Sequence, residues 1–258
     1  MASHVAEISD SGLQADKYDF YTVVDDTIGS FCNVDVSSVA DVIMTSLTKS
    51  FSGYADVMSG SIVLNPDSPR YEPVKEAVKS QFHNELFAGD AEKLLSNSED
   101  YLQRSVILNR NASTVAAFLQ TQVEDPSSPV VSVEYPEQND TLANYQAFMR
   151  PATPEFTPGY GCLLSVDFES KACAKAFYDN IQFYQGPHLG AHHSLAVPFN
   201  ELVWGRDPKD LEYHAGYGVR GEQIRLAVGL ESEEELVDTV KAALVFATEA
   251  KIQAKASA

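Results

Sequence analysis

Lys49 follows an apolar run, Asp41-Val42-Ile43-Met44, and comes directly after two hydroxyls in the order Ser46-Leu47-Thr48-Lys49. An amine at the end of a buried strand is costly to desolvate unless it does chemistry. A lysine amine can condense with an aldehyde, and hydroxyls can hold a phosphate. An upstream carboxylate, here Asp25 or Asp26, can keep a pyridine nitrogen protonated. Those are the groups that pyridoxal 5'-phosphate asks of a protein. Each residue taken singly has a plainer reading: Lys49 as a surface residue where a strand meets a loop, Asp25 as an aspartate in a turn.

Four stretches in order carry a resemblance. They are Val24-Asp25-Asp26-Thr27 with Ser46-Leu47-Thr48-Lys49 and Gly53-Tyr54-Ala55-Asp56; Pro158 to Ser165; Gly186-Pro187-His188-Leu189-Gly190-Ala191-His192 with Ser194-Leu195; and Ile224-Arg225-Leu226-Ala227-Val228-Gly229-Leu230-Glu231. From about Ala15 to about Ala247 the chain resembles the Cys/Met-metabolism family of pyridoxal-phosphate enzymes, most closely the fungal cystathionine γ-synthase branch. The resemblance implies an α/β fold of the PLP-dependent transferase type (aspartate-aminotransferase-like, fold type I). It implies Lys49 as the cofactor-bearing lysine and Asp25, the aspartate matching the family's V-D-x-T, as the partner of the pyridine nitrogen. Ser46 and Thr48 are implied as phosphate donors, with Thr27 touching the ring or ordering Asp25. Arg225 is implied as the clamp on the substrate's α-carboxylate, with Ser194 helping to position that carboxylate or Lys49.

The activity implied is γ-replacement on an O-acylhomoserine by a thiol such as cysteine. A C–S lyase and a secondary-metabolite γ-substitution enzyme are alternatives. The family carries a long segment before V-D-D-T, whereas only 24 residues precede Asp25 here. That segment supplies a tyrosine stacked on the cofactor and part of the phosphate site. The expectation is therefore a large domain lacking its N-terminal part, and a catalytically impaired or split-subunit homologue is a further alternative. Amino-acid substrates are implied, with assembly as a homo-oligomer or with a complementary chain.

The elements that must position these residues follow from pattern. Residues 1–14 read as a disordered leader, 15–125 as the cofactor-binding domain and 126–258 as a small α/β domain, with the Asp125-Pro126-Ser127-Ser128-Pro129 cluster as the boundary. Phe20 to Val24 is apolar enough to predict a strand covered on both faces, and Asp41–Thr45 and Ser61–Leu64 predict two more. Helices are predicted over Tyr71–Phe82, over Ala91–Thr121, a pattern long enough to contain a break or to join two domains, and from Ser232, where Ser-x-x-Glu has capping-box spacing. Asp25 and Ser46 thus fall at strand ends, where α/β sheets collect their chemistry.

Composition sets limits. With 37 acidic against 18 basic residues the net charge is −19, which repels nucleic acid and anionic membrane. No apolar run reaches bilayer length, and a cytoplasmic setting is expected. The three cysteines, Cys32, Cys162 and Cys173, form neither a disulfide framework nor a zinc pattern. His188, His192 and His193 share a Pro/Gly loop with no carboxylate at ligand spacing, so no metal is expected.

Overall fold

A computed structural model describes residues 15 and 17–256; the leader expected over residues 1–14 lies outside the described residues. The chain divides into two compact units, one formed by Met1–Val106 with Asp140–Gly161 and the other by Ile107–Asn139 with Cys162–Ala258.

The first unit is organised by a three-stranded sheet of β1 (Val23–Asp25), β2 (Val42–Ser46) and β3 (Gly60–Leu64), in that spatial order. β1 runs parallel to β2 with Asp25 opposite Met44, and β3 returns antiparallel with Gly60 opposite Ser46. Parallel pairing makes Asp25 and Ser46 finish at the same sheet edge. The opposite edge is fixed by Asp41, whose carboxylate accepts the Thr22 N–H at 2.8 Å and the Ser68 hydroxyl. Asn65 donates there to the Ser37 and Ala40 carbonyls at 2.7 and 2.8 Å.

The apolar stretch before Asp25 is not covered on both faces. Register places Val23, Met44 and Ile62 on one face, and they are 54%, 41% and 56% exposed. Apolar composition belongs to the segment, but cover must come from another element, and no described residue provides it there.

Three helices follow: α1 (Tyr71–Gln81), which buries none of its residues, α2 (Ala88–Ser98) and α3 (Tyr101–Val123). The expected break in the long apolar pattern lies at Glu99-Asp100. The Ser98 hydroxyl turns back to the Leu95 carbonyl at 2.7 Å, and the Asp100 carbonyl accepts the Arg104 N–H to begin the new helix. A short helix, α4 (Leu142–Phe148), closes the unit against residues 33–35, where the Phe148 carbonyl accepts the Asp35 N–H. The Phe31, Phe51 and Tyr101 rings meet at 5.2–5.6 Å and pack with Cys32 and Phe156 as a small core.

The second unit is a five-stranded sheet ordered β4 (Val130–Glu134), β5 (Leu163–Phe168), β8 (Gln223–Ala227), β7 (Leu195–Val197), β6 (Tyr184–Gln185). All its pairings are antiparallel except β6 with β7. The helix α5 (Lys171–Asn180), capped by the Ser170 hydroxyl, and the helix running over Glu233–Ala256 pack together. Leu236, Val240, Leu244 and Ala247, the expected apolar face of that last helix, are all buried. The Ser232 hydroxyl accepts the Glu235 N–H at 3.2 Å, as its spacing predicts. Lys251, itself buried, donates to the Pro126 and Ser128 carbonyls and pairs with Glu169 at 2.9 Å, pinning the proline-rich turn. The three cysteines are buried free thiols.

Phe177 is fully buried and meets Phe168 at 5.0 Å. Phe177→Ala is expected to cost about 3–5 kcal/mol of stability, read from urea unfolding; a loss below about 1 kcal/mol would contradict this core assignment.

Candidate functional site

The edge where β1 and β2 end is tied together by one hydroxyl. Thr27, in the turn after β1, donates to Asp25 Oδ1 at 2.5 Å and accepts the Ser46 N–H at 2.9 Å. The Thr27 N–H reaches the same carboxylate oxygen at 3.0 Å. Asp25 is thereby held in one orientation while staying exposed. The turn itself is built by the Ser30 N–H returning to the Asp26 carbonyl, with Ser30 in the left-handed region.

Asp26, the other candidate carboxylate, is placed differently. Its N–H continues the sheet to the Met44 carbonyl at 2.8 Å, and its side chain is buried. A Cβ at Gly29 would come within 2.7 Å of Asp26 Oδ1, so a side chain there would have to push the enclosed carboxylate aside. Burial pushes the Asp26 carboxyl up to about 7; the Arg150 charge opposes this, and Asp25 and Asp35 add to it. The two neighbours are therefore chemically distinct: an open, ordered carboxylate and an enclosed one that titrates near neutrality.

Lys49 lies in the loop that leaves β2 and is half-buried. Its N–H bonds the Ser46 carbonyl at 3.2 Å, and its own carbonyl accepts the Gly53 N–H at 2.8 Å. Thr48 is committed elsewhere: its hydroxyl donates to the Ser59 carbonyl at 3.2 Å and accepts the Ser59 N–H at 2.9 Å, tying the loop to the approach to β3. Asp25, Thr27, Ser46 and Lys49 are thus gathered within one short stretch of sheet edge. The donor set fits a pyridinium, an aldehyde and a phosphate oxygen, with Ser46 better disposed than Thr48 to give its proton.

In the second unit, Arg225 sits on β8 between Ser165 of β5 and Val197 of β7 and is only 9% exposed. Its guanidinium stacks on Phe199 at 4.5 Å and donates through Nη2 to the Pro187 carbonyl. Burial pulls its pKa below the ordinary arginine range. Its Nε is buried with no hydrogen-bond partner. A buried, unsatisfied guanidinium N–H is costly, and an incoming carboxylate would satisfy it.

Ser194 is more constrained than Arg225. Its hydroxyl donates to Glu231 Oε2 and accepts the Gly229 N–H, both at 2.9 Å, and its N–H reaches Glu231 Oε1 at 2.7 Å. A Cβ at Gly229 would come within 2.7 Å of the Ser194 nitrogen, so this latch closes only over glycine. The geometry makes Ser194 a fastener between the strand-exit loops, with its proton spent on Glu231. The sequence motif includes Glu231 but gives it no role, and the pattern reaches neither Phe199 nor the enclosed state of Asp26. Nothing in spacing connects Phe199 or Glu231 to the residues they serve.

The comparisons with known proteins point to the same cofactor. A family model described as Cys/Met metabolism PLP-dependent enzyme matches residues 2–245. The chain is 37% identical over 247 residues to a cystathionine gamma-synthase-like enzyme, iboG2, of Amanita muscaria, covering 92% of this chain and 39% of that one. It is 39% identical over 236 residues to the cystathionine gamma-synthase of Neurospora crassa, covering 91% and 36%. A solved cystathionine gamma lyase of Micromonospora echinospora superposes with a TM-score of 0.76 at 25% identity, over 92% of this chain and 59% of that one. The chain therefore spans well under half the length of these two relatives.

The Asp26 carboxyl, ordinarily near 3.8, is raised to about 7 in the folded chain, so the native state holds a proton that the unfolded state has released. Stability should then fall as pH rises from about 4 to about 7, by roughly 4 kcal/mol in all. Asp26→Asn should flatten that slope in urea titrations across the window; an unchanged slope would show that Asp26 does not titrate this way.

Proposed function

Because the chain belongs to the Cys/Met metabolism PLP-dependent enzymes, whose cofactor is pyridoxal 5'-phosphate, and shares their fold-type-I α/β architecture, we propose that it acts as a transferase of the cystathionine γ-synthase type. The reaction is replacement of the γ-substituent of an O-acylhomoserine by a thiol such as cysteine. The observation that carries this reading is the Thr27 bridge, which presents Asp25 beside Ser46 at the strand ends that lead into the Lys49 loop.

When bound, the cofactor supplies an electron sink for charge developing on the substrate's carbons. Asp25, fixed by Thr27, keeps a proton on the ring nitrogen. Lys49 holds the coenzyme through its amine and, once displaced, moves protons between the α and β carbons of the substrate. Ser46 donates to the phosphate, and Thr48 joins it only by releasing Ser59. Arg225 receives the substrate's α-carboxylate as a two-pronged partner, filling the vacancy at Nε. The cytoplasm suits an enzyme whose three thiols are unpaired. Among the described residues no helix is long and apolar enough to cross a membrane.

A second reading, that catalysis needs another chain, is favoured by the open face of Val23, Met44 and Ile62 beside Asp25. The occupant of that face would be a second copy, or a chain carrying what the relatives hold outside the matched stretch.

Purified chain mixed with pyridoxal 5'-phosphate should develop a visible absorption band that Lys49→Ala lacks. With an O-acylhomoserine and cysteine it should form cystathionine. Arg225→Lys should raise KM by about 10- to 100-fold with a smaller effect on kcat. Release of a 2-oxo acid without thiol incorporation would make the chain a lyase instead. Equal bands from wild type and Lys49→Ala would defeat the reading, and turnover only after adding a complementary family fragment would select the partner-dependent form.

A further inference from the structure

The loop that carries Lys49 is held from behind by a second arginine. Arg104, in the first turn of α3, is almost wholly buried and uses its donors on three backbone carbonyls. Nη1 donates to Ser50 O at 2.9 Å, and Nη2 donates to Phe51 O at 2.9 Å and Asn97 O at 2.7 Å. Nε donates to Asp100 Oδ1 at 2.7 Å, which balances the buried charge from one helical turn away. Tyr54 completes the enclosure: its hydroxyl donates to Asp100 Oδ2 at 2.7 Å, and its ring lies 5.1 Å from the guanidinium carbon.

The loop's own backbone bonds are local turns, Ser52 N–H to the Leu47 carbonyl and Gly53 N–H to the Lys49 carbonyl, and Thr48 ties its start to Ser59. Residues 47–52 are turns, so the Ser50 and Phe51 carbonyls have no helix or sheet partner, and a carbonyl left without one favours opening of the loop. Gly53 shows how closely the chain passes the clamp: with φ +77° it has no Cβ, and one placed there would lie 1.8 Å from Arg104 Nη1. Asn97 of α2 extends the grip, donating to Ser52 Oγ at 2.9 Å and Asp56 Oδ1 at 2.8 Å, while Lys93 pairs with Asp56 at 3.0 Å.

We propose that Arg104 is a positioning residue for Lys49: its guanidinium, oriented by Asp100 and Tyr54, fixes the 47–56 loop so that the lysine amine meets the coenzyme aldehyde in one geometry. This rests on the reading of Lys49 as the coenzyme-bearing amine. The shape of the donor matters, because a planar fork spans adjacent carbonyls and a single ammonium does not.

The test uses two measurements on the full chain. Hydrogen exchange without coenzyme reads the loop, and borohydride reduction after brief exposure to pyridoxal 5'-phosphate, followed by peptide mapping, reads how fast Lys49 is labelled. Arg104→Lys should speed exchange across 47–56 by about tenfold or more while the peptides of β5 and β8 keep their rates. It should also slow labelling of Lys49 by about fivefold or more. Tyr54→Phe, which keeps the guanidinium and removes one hydroxyl, should shift both in the same direction by less, and it carries the test if Arg104→Lys does not fold. Unchanged exchange in the loop, or a loosened loop with Lys49 labelled at the wild-type rate, would overturn the proposal. A wild-type chain never labelled at Lys49 would instead refute the cofactor reading, and the exchange contrast would then decide the clamp alone.

Discussion

The Thr27 hydroxyl is a small group on which the rest of the site depends. It gives its proton to Asp25 and takes one from the Ser46 amide, so a single side chain locks the ends of two parallel strands together. Without it Asp25 would be a mobile carboxylate on an exposed strand end, because β1 is only three residues long and, among the described residues, pairs with β2 alone. Geometry at this edge passes directly into the loop of Lys49, whose N–H bonds the Ser46 carbonyl. The strand ends, the carboxylate and the backbone of the Lys49 loop are therefore one mechanical unit rather than separate features.

Two buried arginines show how donor accounting separates support from function. Arg104 has each of its nitrogens bonded to protein, to Asp100 or to a backbone carbonyl. Four of its five N–H donors are spent in this way, and its work is to hold a loop. Arg225 is buried too but, among the described residues, keeps a buried Nε without a partner, over the face of Phe199. An unsatisfied charged donor is retained only where something else comes to satisfy it. The same accounting separates Ser194, whose proton is spent on Glu231, from Ser46.

Much of this was legible in the chain itself. Asp25 and Ser46 fall at strand ends in the sequence pattern and do so in the structure, with Lys49 in the loop just after, because apolar β-branched runs between turn residues mark strands. The break within the long helical pattern was legible too, although Glu99-Asp100 as its place was not. Hidden from sequence were properties that arise between elements. The exposure of Val23, Met44 and Ile62 depends on what covers a face, and the enclosure of Asp26 depends on how the turn at Gly29 folds over it. The commitment of Thr48 to Ser59 is likewise a contact across eleven positions that no local pattern announces.

The central claim is that the carboxylate oriented by Thr27 keeps the coenzyme's ring nitrogen protonated. The most direct measurement is the nitrogen-15 chemical shift of pyridoxal 5'-phosphate labelled at that atom and bound to the chain. The account predicts a protonated nitrogen in the wild type, a shift to the unprotonated position in Asp25→Asn, and the wild-type shift retained in Asp26→Asn. A nitrogen in the same protonation state in wild type and Asp25→Asn would contradict it.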